Sequence, residues 1–443
     1  MKKYFLLFII LFLSSCQDIG DNKPLLTESK KKQPIFIVNP NRHLNIAEFW
    51  ISKLQNPNEI IMNTNDIQKF NDDIAYQQEL YNNFKDIDKT YNSGWIKNKI
   101  LKSFNGLKSR VKYFPDNSII PYNFYKELRS NLNLKGVKGK NQTTRYAMTI
   151  NYTNQKIIPT QEAMLKSKNQ IYFDRNQNSA LDIATPIAIL HTSKDGAWHY
   201  GIAPSSSGWV RDQDIAFGEY KEISEYLESK KFLITTANKT PILKKGIYHD
   251  YMRMGVKLPY LLTIDNMIMV LIPTKSSENG KLIFSNATVK KSNIHIGYLP
   301  YTQQNILTQA FKFLHQPYGW GGMFGEQDCS KFIQEIYATV GVHLPRNSAS
   351  QSSVGEAKVD FNKFDKTPRI QKLRQSAKAG VSILHLKGHI VLYIGNLNGE
   401  PFIIHTVWGS SSRHFALGRT AVTSLNFNDY LKKIDKVTNI LIK

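Results

Sequence analysis

The hydrophobic pattern of this 443-residue chain changes twice, and these changes constrain its fold more than any other feature of the sequence. Between about residues 40 and 140, apolar residues such as Ile46 and Phe49 follow helical spacing. From Arg145 they fall in short β-type runs, and from Tyr301 helices and strands are mixed. The pattern predicts a multidomain α+β protein with a helical module, two small β-barrels and a C-terminal α+β domain.

Turn residues separate the β-type runs, which predicts the two successive barrels. The runs of the first barrel are 146–152, 171–173, 186–191, 198–202 and 208–210, and those of the second are 232–235, 240–243, 267–272 and 288–290. The resulting boundaries are 40–144 for the helical module, 145–225 and 226–300 for the barrels, and 301–443 for the last domain.

The first residues are typical of an export signal. Lys2 and Lys3 give a positive start, and an apolar stretch follows to Leu13. The tetrapeptide that ends at Cys16 resembles a lipobox, in which the cysteine becomes the lipid-modified amino terminus. The resemblance implies a lipoprotein signal over 1–16, lipidation of Cys16, and a polar, lysine-rich tether over 17–39. The alternative is a plain secretory signal that happens to contain a cysteine.

Cysteine count and net charge narrow the possible functions further. The chain has two cysteines, so lipidation of Cys16 would leave Cys329 without an intramolecular disulfide partner. An unpaired cysteine in an exported protein is either a buried passenger or a reactive group. A net charge of +23 favours an anionic membrane or cell-wall surface as partner, and export argues against nucleic acid.

Cys329 is the candidate nucleophile. It follows a glycine-rich loop and opens an apolar-periodic helix that includes Phe332 and Ile336. Unpaired amide groups at a helix N-terminus favour a negative charge, which predicts a lowered thiol pKa. The alternative is a buried structural cysteine.

Two histidines are candidates for the proton-transfer groups. The segment Gly395-Asn396-Leu397-Asn398-Gly399 predicts a hairpin loop centred on Leu397. With that centre, His389 and His405 pair directly across the ladder with both rings on one face. One histidine can then accept the thiol proton while the other fixes its tautomer and orientation. The alternative is that either histidine is only structural.

Taken together, these residues resemble the NlpC family of papain-like cell-wall cysteine peptidases. The motifs that carry the resemblance are Tyr318-Gly319-Trp320-Gly321-Gly322, Asp328-Cys329-Ser330, the Leu-Pro-Arg-x-Ser-x-x-Gln pattern over 344–351, and the strand that begins at Gly388-His389-Ile390. The resemblance implies a papain-like domain with Cys329, His389 and His405 as catalytic residues. Lys331 departs from it, because many members have glycine there, and this puts substrate fit in doubt.

The same resemblance assigns further roles. Tyr318 would help the Cys329 N–H form an oxyanion hole, Asp328 would line the amino-terminal side of the substrate, and Ser330 would join them in substrate binding. The rest of the chain resembles the branch with an N-terminal stabilising segment and two bacterial SH3-type barrels. His385 and His389 have the i, i+4 spacing of metal ligands, but the β-rich run after Gly388 argues against a helix, so no metal and no cofactor are expected.

The function that the resemblance implies is hydrolysis of the γ-D-glutamyl–diaminopimelate bond in peptidoglycan stem peptides. It also implies that the first barrel selects stems with a free amino-terminal L-alanine. A catalytically silent wall-binding lipoprotein, and an acyltransferase or amidase on the same fold, are the alternatives. The expected location is the cell envelope, anchored by lipid to a membrane, with the outer membrane favoured over the inner.

Overall fold

The computed structural model describes residues 42–361, 368–410 and 415–442. The predicted signal, the lipidation site at Cys16 and the tether over 17–39 lie outside the described residues. Within the described ranges, no helix is long and apolar enough to cross a membrane.

The N-terminal part is helical, as its periodicity predicts. Asn63 accepts a hydrogen bond from the Asp66 N–H in a capping box, and Asn92 accepts one from the Trp95 N–H at the next long helix. The elements are α1 (Ala47–Ile51), α2 (Thr64–Asp72), β1 (Thr90–Asn92), α3 (Ser93–Lys108), α4 (Tyr122–Asn131) and β2 (Asn141–Thr143).

The helices of this part are divided between two cores. Trp50 of α1 and Phe70 of α2 are buried in the same core as the helices of the C-terminal domain. Phe104 of α3 and Leu128 of α4 pack instead against the first sheet. The helical part therefore contributes side chains to the cores of two different regions.

The first β-rich region is an antiparallel sheet with the order β5-β4-β8-β7-β6-β3-β9. Its strands are β3 (Arg145–Thr149), β4 (Thr153–Lys156), β5 (Gln177–Leu181), β6 (Pro186–Thr192), β7 (Trp198–Ala203), β8 (Ser206–Arg211) and β9 (Ile215–Gly218). β3 covers only residues 146–149 of the predicted run 146–152, and the predicted run 171–173 is not a strand. Residues 171–173 lie in the long connection between β4 and β5.

The second β-rich region follows α5 (Tyr220–Leu227) and has the order β12-β11-β15-β14-β13-β10-β16. Its strands are β10 (Phe232–Thr235), β11 (Lys239–Lys244), β12 (Ile247–Arg253), β13 (Lys257–Ile264), β14 (Met267–Lys275), β15 (Leu282–Lys290) and β16 (Ile294–Ile296). β12, β13 and β16 were not predicted from the sequence. Met148 and Ala216 of the first region share a core with this sheet, so the two regions are packed together.

The C-terminal domain packs α6 and α7 on an antiparallel sheet of order β17-β22-β18-β19-β20-β21. Its elements are α6 (Gln303–Phe311), α7 (Cys329–Ala338), α8 (Ser348–Gln351), β17 (Glu356–Asp360), α9 (Arg369–Ser376), β18 (Ser382–Leu386), β19 (His389–Leu397), β20 (Glu400–Ser410), β21 (Phe415–Ser424), α10 (Tyr430–Lys433) and β22 (Ile434–Asn439). Phe332, Ile333 and Ile336 of α7 are fully buried against this sheet. The mixed α+β architecture agrees with the prediction.

The β19–β20 hairpin differs from its prediction. Leu397 pairs with Glu400, so the loop is the two-residue turn Asn398-Gly399 and not a five-residue loop. Both turn residues have positive φ, as a type I′ turn requires.

Candidate active site

A glycine-rich loop leads into the candidate nucleophile. Gly321 and Gly322 have φ of +61° and +88°, in the left-handed region that favours glycine. A Cβ at Gly322 would lie 2.6 Å from the Cβ of Ala180 in β5, so a side chain there would clash. The Gln177 amide of β5 also donates to the Gly321 carbonyl at 3.1 Å. The loop is therefore held between the first sheet and the start of α7.

Asp328 caps α7 and is fully engaged by its neighbours. Its carboxylate accepts hydrogen bonds from the backbone N–H groups of Gly321 at 3.1 Å and Lys331 at 2.9 Å, and from the Ser330 hydroxyl at 3.0 Å. Burial opposes its ionisation, but Arg346 and these hydrogen bonds outweigh burial and hold the pKa of Asp328 below its usual value. The cap fixes the position at which Cys329 begins the helix.

Cys329 occupies the first turn of α7 with only 9% of its surface exposed. The backbone N–H of Ile390 in β19 reaches the thiol. The sequence argument predicted a lowered thiol pKa, but burial, reinforced by Asp328, raises the pKa of Cys329 to about 12. Desolvation therefore outweighs the helix N-terminus, and the resting side chain is a neutral thiol.

His389 and His405 form a hydrogen-bonded chain that continues to Thr423. His389 Nε2 lies 2.9 Å from His405 Nδ1, and His405 Nε2 lies 3.1 Å from the Thr423 hydroxyl. His405 is completely buried, whereas His389 keeps a partly exposed ring. Burial lowers the pKa of His389 to about 4 and that of His405 well below its ordinary value, so both rings are neutral at neutral pH.

The predicted direct pairing of His389 with His405 is wrong, although the two rings do share a face. In the observed register Leu392 pairs with Ile404, and continuing it leaves the two histidines on a diagonal, two residues out of register. Diagonal neighbours on one face are close enough for contact, and the ring centroids are 5.2 Å apart.

A β-bulge is what puts the two histidines on one face. The register shifts by one residue between Tyr393 and Gly395. Leu397 pairs with Glu400 at the turn. If that register continued along the strands without the shift, His389 and His405 would be three residues out of register and on opposite faces. The wrong loop length and the missed bulge therefore compensated each other in the prediction.

Aromatic side chains from two domains form a wall beside the thiol. Burial raises the pKa of Tyr318, and Cys329 and Asp328 raise it further, so the phenol stays protonated within electrostatic reach of the thiol. Phe173 lies in the loop between β4 and β5. Its ring centroid is 5.3 Å from that of Trp408 and 5.4 Å from that of Trp320. Tyr172 of the same loop lies 4.5 Å from Trp408.

Arg346 is a site residue that lies within a family motif, but no role was predicted for it. Its guanidinium binds Asp328 in bidentate fashion, at 2.8 and 3.1 Å, and its Nε donates to Ser179 of β5 at 2.9 Å. It also donates to the Ser330 hydroxyl at 2.9 Å. Asp328 and Ser330, both predicted to bind substrate, are thus held in a fixed network that ties α7 to the first sheet.

The Lys331 side chain belongs to a cluster of ion pairs. Its ammonium lies 3.4 Å from Asp182 of the first sheet region and 3.9 Å from Glu335 one turn along α7. Arg253 of β12 completes the group, at 2.8 Å from Asp182 and 3.4 Å from Glu335. The side chain that departs from the family pattern is therefore used at a junction of three regions, on the side of α7 away from the thiol.

His385 and His389 lie on neighbouring strands, not on a helix. His385 is 2.6 Å from Asp435, which gives its ring a carboxylate partner. Across residues 42–361, 368–410 and 415–442, no group of three or more His, Cys, Asp or Glu side chains could hold a metal ion.

Two family models match parts of the chain. The NlpC/P60 family model matches residues 315–414, and a model of the SH3 domain, SH3b1 type, matches residues 162–211. The first range holds Cys329, His389 and His405, and the second begins within the loop that carries Tyr172 and Phe173.

Curated relatives and solved structures agree with these matches. Proteins named gamma-D-glutamyl-L-lysine dipeptidyl-peptidase from Bacillus subtilis and Bacillus cereus are each 25% identical, over 38% and 43% of this chain and 55% and 54% of their own lengths. The chain thus spans about half the length of the curated relatives it matches.

The fold similarity extends over most of the chain. A structure described as a novel NlpC/P60 endopeptidase from Photobacterium damselae subsp. piscicida is 20% identical with a TM-score of 0.72, over 90% of this chain and 97% of that one. An NlpC/P60 family protein from Bacillus cereus is 17% identical with a TM-score of 0.50, over 67% of this chain and 99% of that one.

Proposed function

We propose that this chain, which belongs to the NlpC/P60 family and carries an SH3 domain of the SH3b1 type, is a cysteine endopeptidase of the cell wall. Its substrate is the bond between the γ-carboxyl of D-glutamate and the diamino acid of peptidoglycan stem peptides, with meso-diaminopimelate as that acid. The observation that carries the proposal is the neutral His389–His405–Thr423 chain, whose first member directly precedes Ile390, the residue whose backbone N–H reaches the Cys329 thiol.

Neutral resting groups define the first chemical step. With His389 Nε2–H donating to His405 Nδ1, and His405 Nε2–H donating to Thr423, the Nδ1 of His389 is left as an acceptor. It takes the thiol proton as the sulfur attacks the γ-carbonyl carbon. Because the thiolate forms only when substrate is bound, the resting enzyme does not carry a reactive anion.

The later steps return the proton. The Cys329 N–H, at the start of α7, and the protonated Tyr318 phenol stabilise the tetrahedral oxyanion. Collapse breaks the C–N bond, and His389 gives its proton to the leaving amine of the diamino acid. Water, deprotonated by His389, then attacks the thioester and releases the free γ-carboxyl product with the thiol restored.

The first sheet region is proposed to select the substrate. Its Tyr172–Phe173 segment and its contacts through Gln177 and Ser179 lie against the loop and the Asp328–Arg346 pair that flank the thiol. These contacts would close the substrate groove at the end that holds the amino terminus of the stem peptide. The closed end would leave room for a stem with a free amino-terminal L-alanine and exclude one still attached to muramic acid. The competing interpretation is that these contacts only bury apolar surface.

Digestion of purified muropeptides by the full chain, with mass analysis of the products, tests the activity. We expect cleavage after the D-glutamyl residue and none by the Cys329→Ala variant. Products that retain an added acyl acceptor would instead indicate the acyltransferase alternative, and binding without any cleavage would indicate the silent wall-binding alternative.

Substrate selection is tested by comparing free L-Ala-γ-D-Glu-diaminopimelate with the same stem on an intact muropeptide. We expect the wild type to prefer the free stem and Phe173→Ala to lose part of that preference. Ile171→Ala, an exposed change in the same loop, is the matched control. Equal kcat/KM on both substrates in the wild type would refute the exclusion model.

Location in the cell envelope, with a lipid at Cys16, is the final part of the proposal. An extracytoplasmic substrate, the lipobox resemblance and the +23 net charge, which favours an anionic surface, support it. The outer membrane is proposed over the inner. Radiolabelled palmitate should enter the wild type, and equal labelling of Cys16→Ala would contradict lipidation at that residue.

A further inference from the structure

A cleft of about 530 Å³ lies between α3 and the first sheet, and its charged lining residues are all cationic. Among the described residues that line it, no Asp or Glu occurs. The five cations, which define what we term the cationic cleft, are Lys102, Arg110, Lys112, Lys166 and Arg175.

Lys112 is buried in this cleft without a carboxylate partner. Lys112 is only 7% exposed, and its ammonium donates a hydrogen bond to the Arg110 carbonyl at 3.1 Å. In the described part of the chain, no acidic group lies within ion-pair distance of it. Burial lowers the pKa of Lys112, and Arg110 and Arg175 lower it further. Buried lysines are normally paired, so an anion in the cleft would relieve a real energetic cost.

Arg175 connects the cationic cleft to the candidate active site. Its guanidinium lies 4.8 Å from the centroid of the Trp320 ring, in the loop that precedes Cys329. Its Nε is buried and has no hydrogen-bond partner among the described residues. The charge of Arg175 also acts on Tyr318, lowering its pKa against the effect of burial. A molecule held at the thiol can therefore extend toward the cleft along this wall.

We propose that the cationic cleft binds a carboxylate of a cross-linked stem peptide, on a part of it outside the two residues that flank the cleaved bond. This inference rests on the proposed peptidase function. A carboxylate is favoured over a phosphate ester because Arg175 links the cleft to the groove where the peptide is held, so one polymer can occupy both. The cleft would then raise affinity for cross-linked stem peptides that carry additional carboxylates.

Binding to the full chain with Cys329→Ala tests the proposal without hydrolysis. The probes are cross-linked stem-peptide dimers, the same dimers with their carboxyl groups converted to amides, and inorganic phosphate. We expect the acid form to bind more tightly than the amide form. Lys112→Met should reduce this ratio of affinities about tenfold, because a buried charge contact is lost. Lys166→Gln, at an exposed position, should reduce the ratio only about two- to threefold.

The matched control is Lys126→Gln, which removes an exposed charge on α4 outside the cleft and should leave the preference unchanged. If Lys112→Met does not fold, Arg110→Gln takes its place. An unchanged acid-over-amide preference in a folded cleft variant would overturn the proposal, as would Lys112-dependent binding of phosphate as tight as that of the dimer. A wild type that fails to cleave, while Cys329→Ala shows Lys112-dependent dimer binding, would contradict the peptidase proposal but not the cleft.

Discussion

Two buried polar clusters lie on opposite sides of α7, and they differ in charge: one is neutral and the other is ionised. On the side of the thiol, His389, His405 and Thr423 are neutral and joined by single hydrogen bonds. On the other side, Asp182 and Arg253 are ionised and joined in bidentate fashion, at 2.8 and 3.0 Å. Arg253 and Lys331 hold the pKa of Asp182 at about 2 against the effect of burial.

In the proposed mechanism, the difference separates proton transfer from the attachment of the three regions to one another. A group that is to accept the thiol proton has to be neutral at rest, and burial keeps the histidines neutral by lowering their pKa values. Groups that hold the first sheet region, the second sheet and α7 together gain most when they remain ionised and paired. The comparison predicts that damage to one cluster affects rate and damage to the other affects stability.

The largest expected effect is on the rate. Cys329→Ala and His389→Ala should each reduce kcat/KM by about 10⁴-fold or more, because the proposed nucleophile and its proposed base would act as a unit. His405→Ala should cost less, about 10²-fold to 10⁴-fold, since it orients the base. Kinetics on the stem peptide measure this. A silent His405→Ala, with another polar residue proving essential, would show that the assignment of the third member is wrong.

The next effect is on stability. Arg253→Met removes the cation that pairs with Asp182 and Glu335. We expect the free energy of unfolding to fall by about 3–5 kcal/mol. Activity per folded molecule should be largely kept at low temperature. Chemical denaturation measures the change, with Lys221→Gln as control, because that lysine belongs to an exposed pair with Glu225 and should cost under about 0.5 kcal/mol. A large loss of kcat with unchanged stability would contradict the separation of roles.

The pH dependence sharpens the comparison. His389 must be neutral to accept the thiol proton, and its pKa is lowered to about 4, so kcat/KM should stay high from neutral pH down to about pH 5. Stability should behave differently. Histidines whose folded pKa is depressed contribute fully above the unfolded value of 6.5, and that contribution is lost as pH falls from 6.5 toward 4. An acid limb of kcat/KM near 6.5 would contradict a neutral resting pair.

The smallest expected effect tests the end of the histidine chain. Thr423→Val keeps the shape of the side chain and removes the hydroxyl that lies 3.1 Å from His405 Nε2. We expect a loss of about threefold to tenfold in kcat, consistent with one hydrogen bond of about 1 kcal/mol. Thr423→Ser should restore most of it. A loss as large as that of His389→Ala would mean that Thr423 does more than orient His405.

Local sequence signals carried much of the fold and the identity of the candidate catalytic residues. Helical spacing indicated the N-terminal helices, and the motif around Cys329 indicated the start of α7, because such patterns depend on neighbouring residues alone. The run 171–173 was assigned wrongly, and the run 146–152 was predicted three residues too long. The β propensity of 171–173 was overridden by tertiary contacts, such as those of Phe173 with Trp320 and Trp408.

What only the tertiary structure decided depends on long-range contacts and on solvent access. The sequence by itself determined that a cysteine opens a helix and that two histidines lie on successive strands. It could not determine the bulge at Ile394 that brings both rings to one face, nor that Thr423 ends their chain. Nor could it show that burial, rather than the helix N-terminus, governs the pKa of Cys329, because desolvation depends on every segment packed around the thiol.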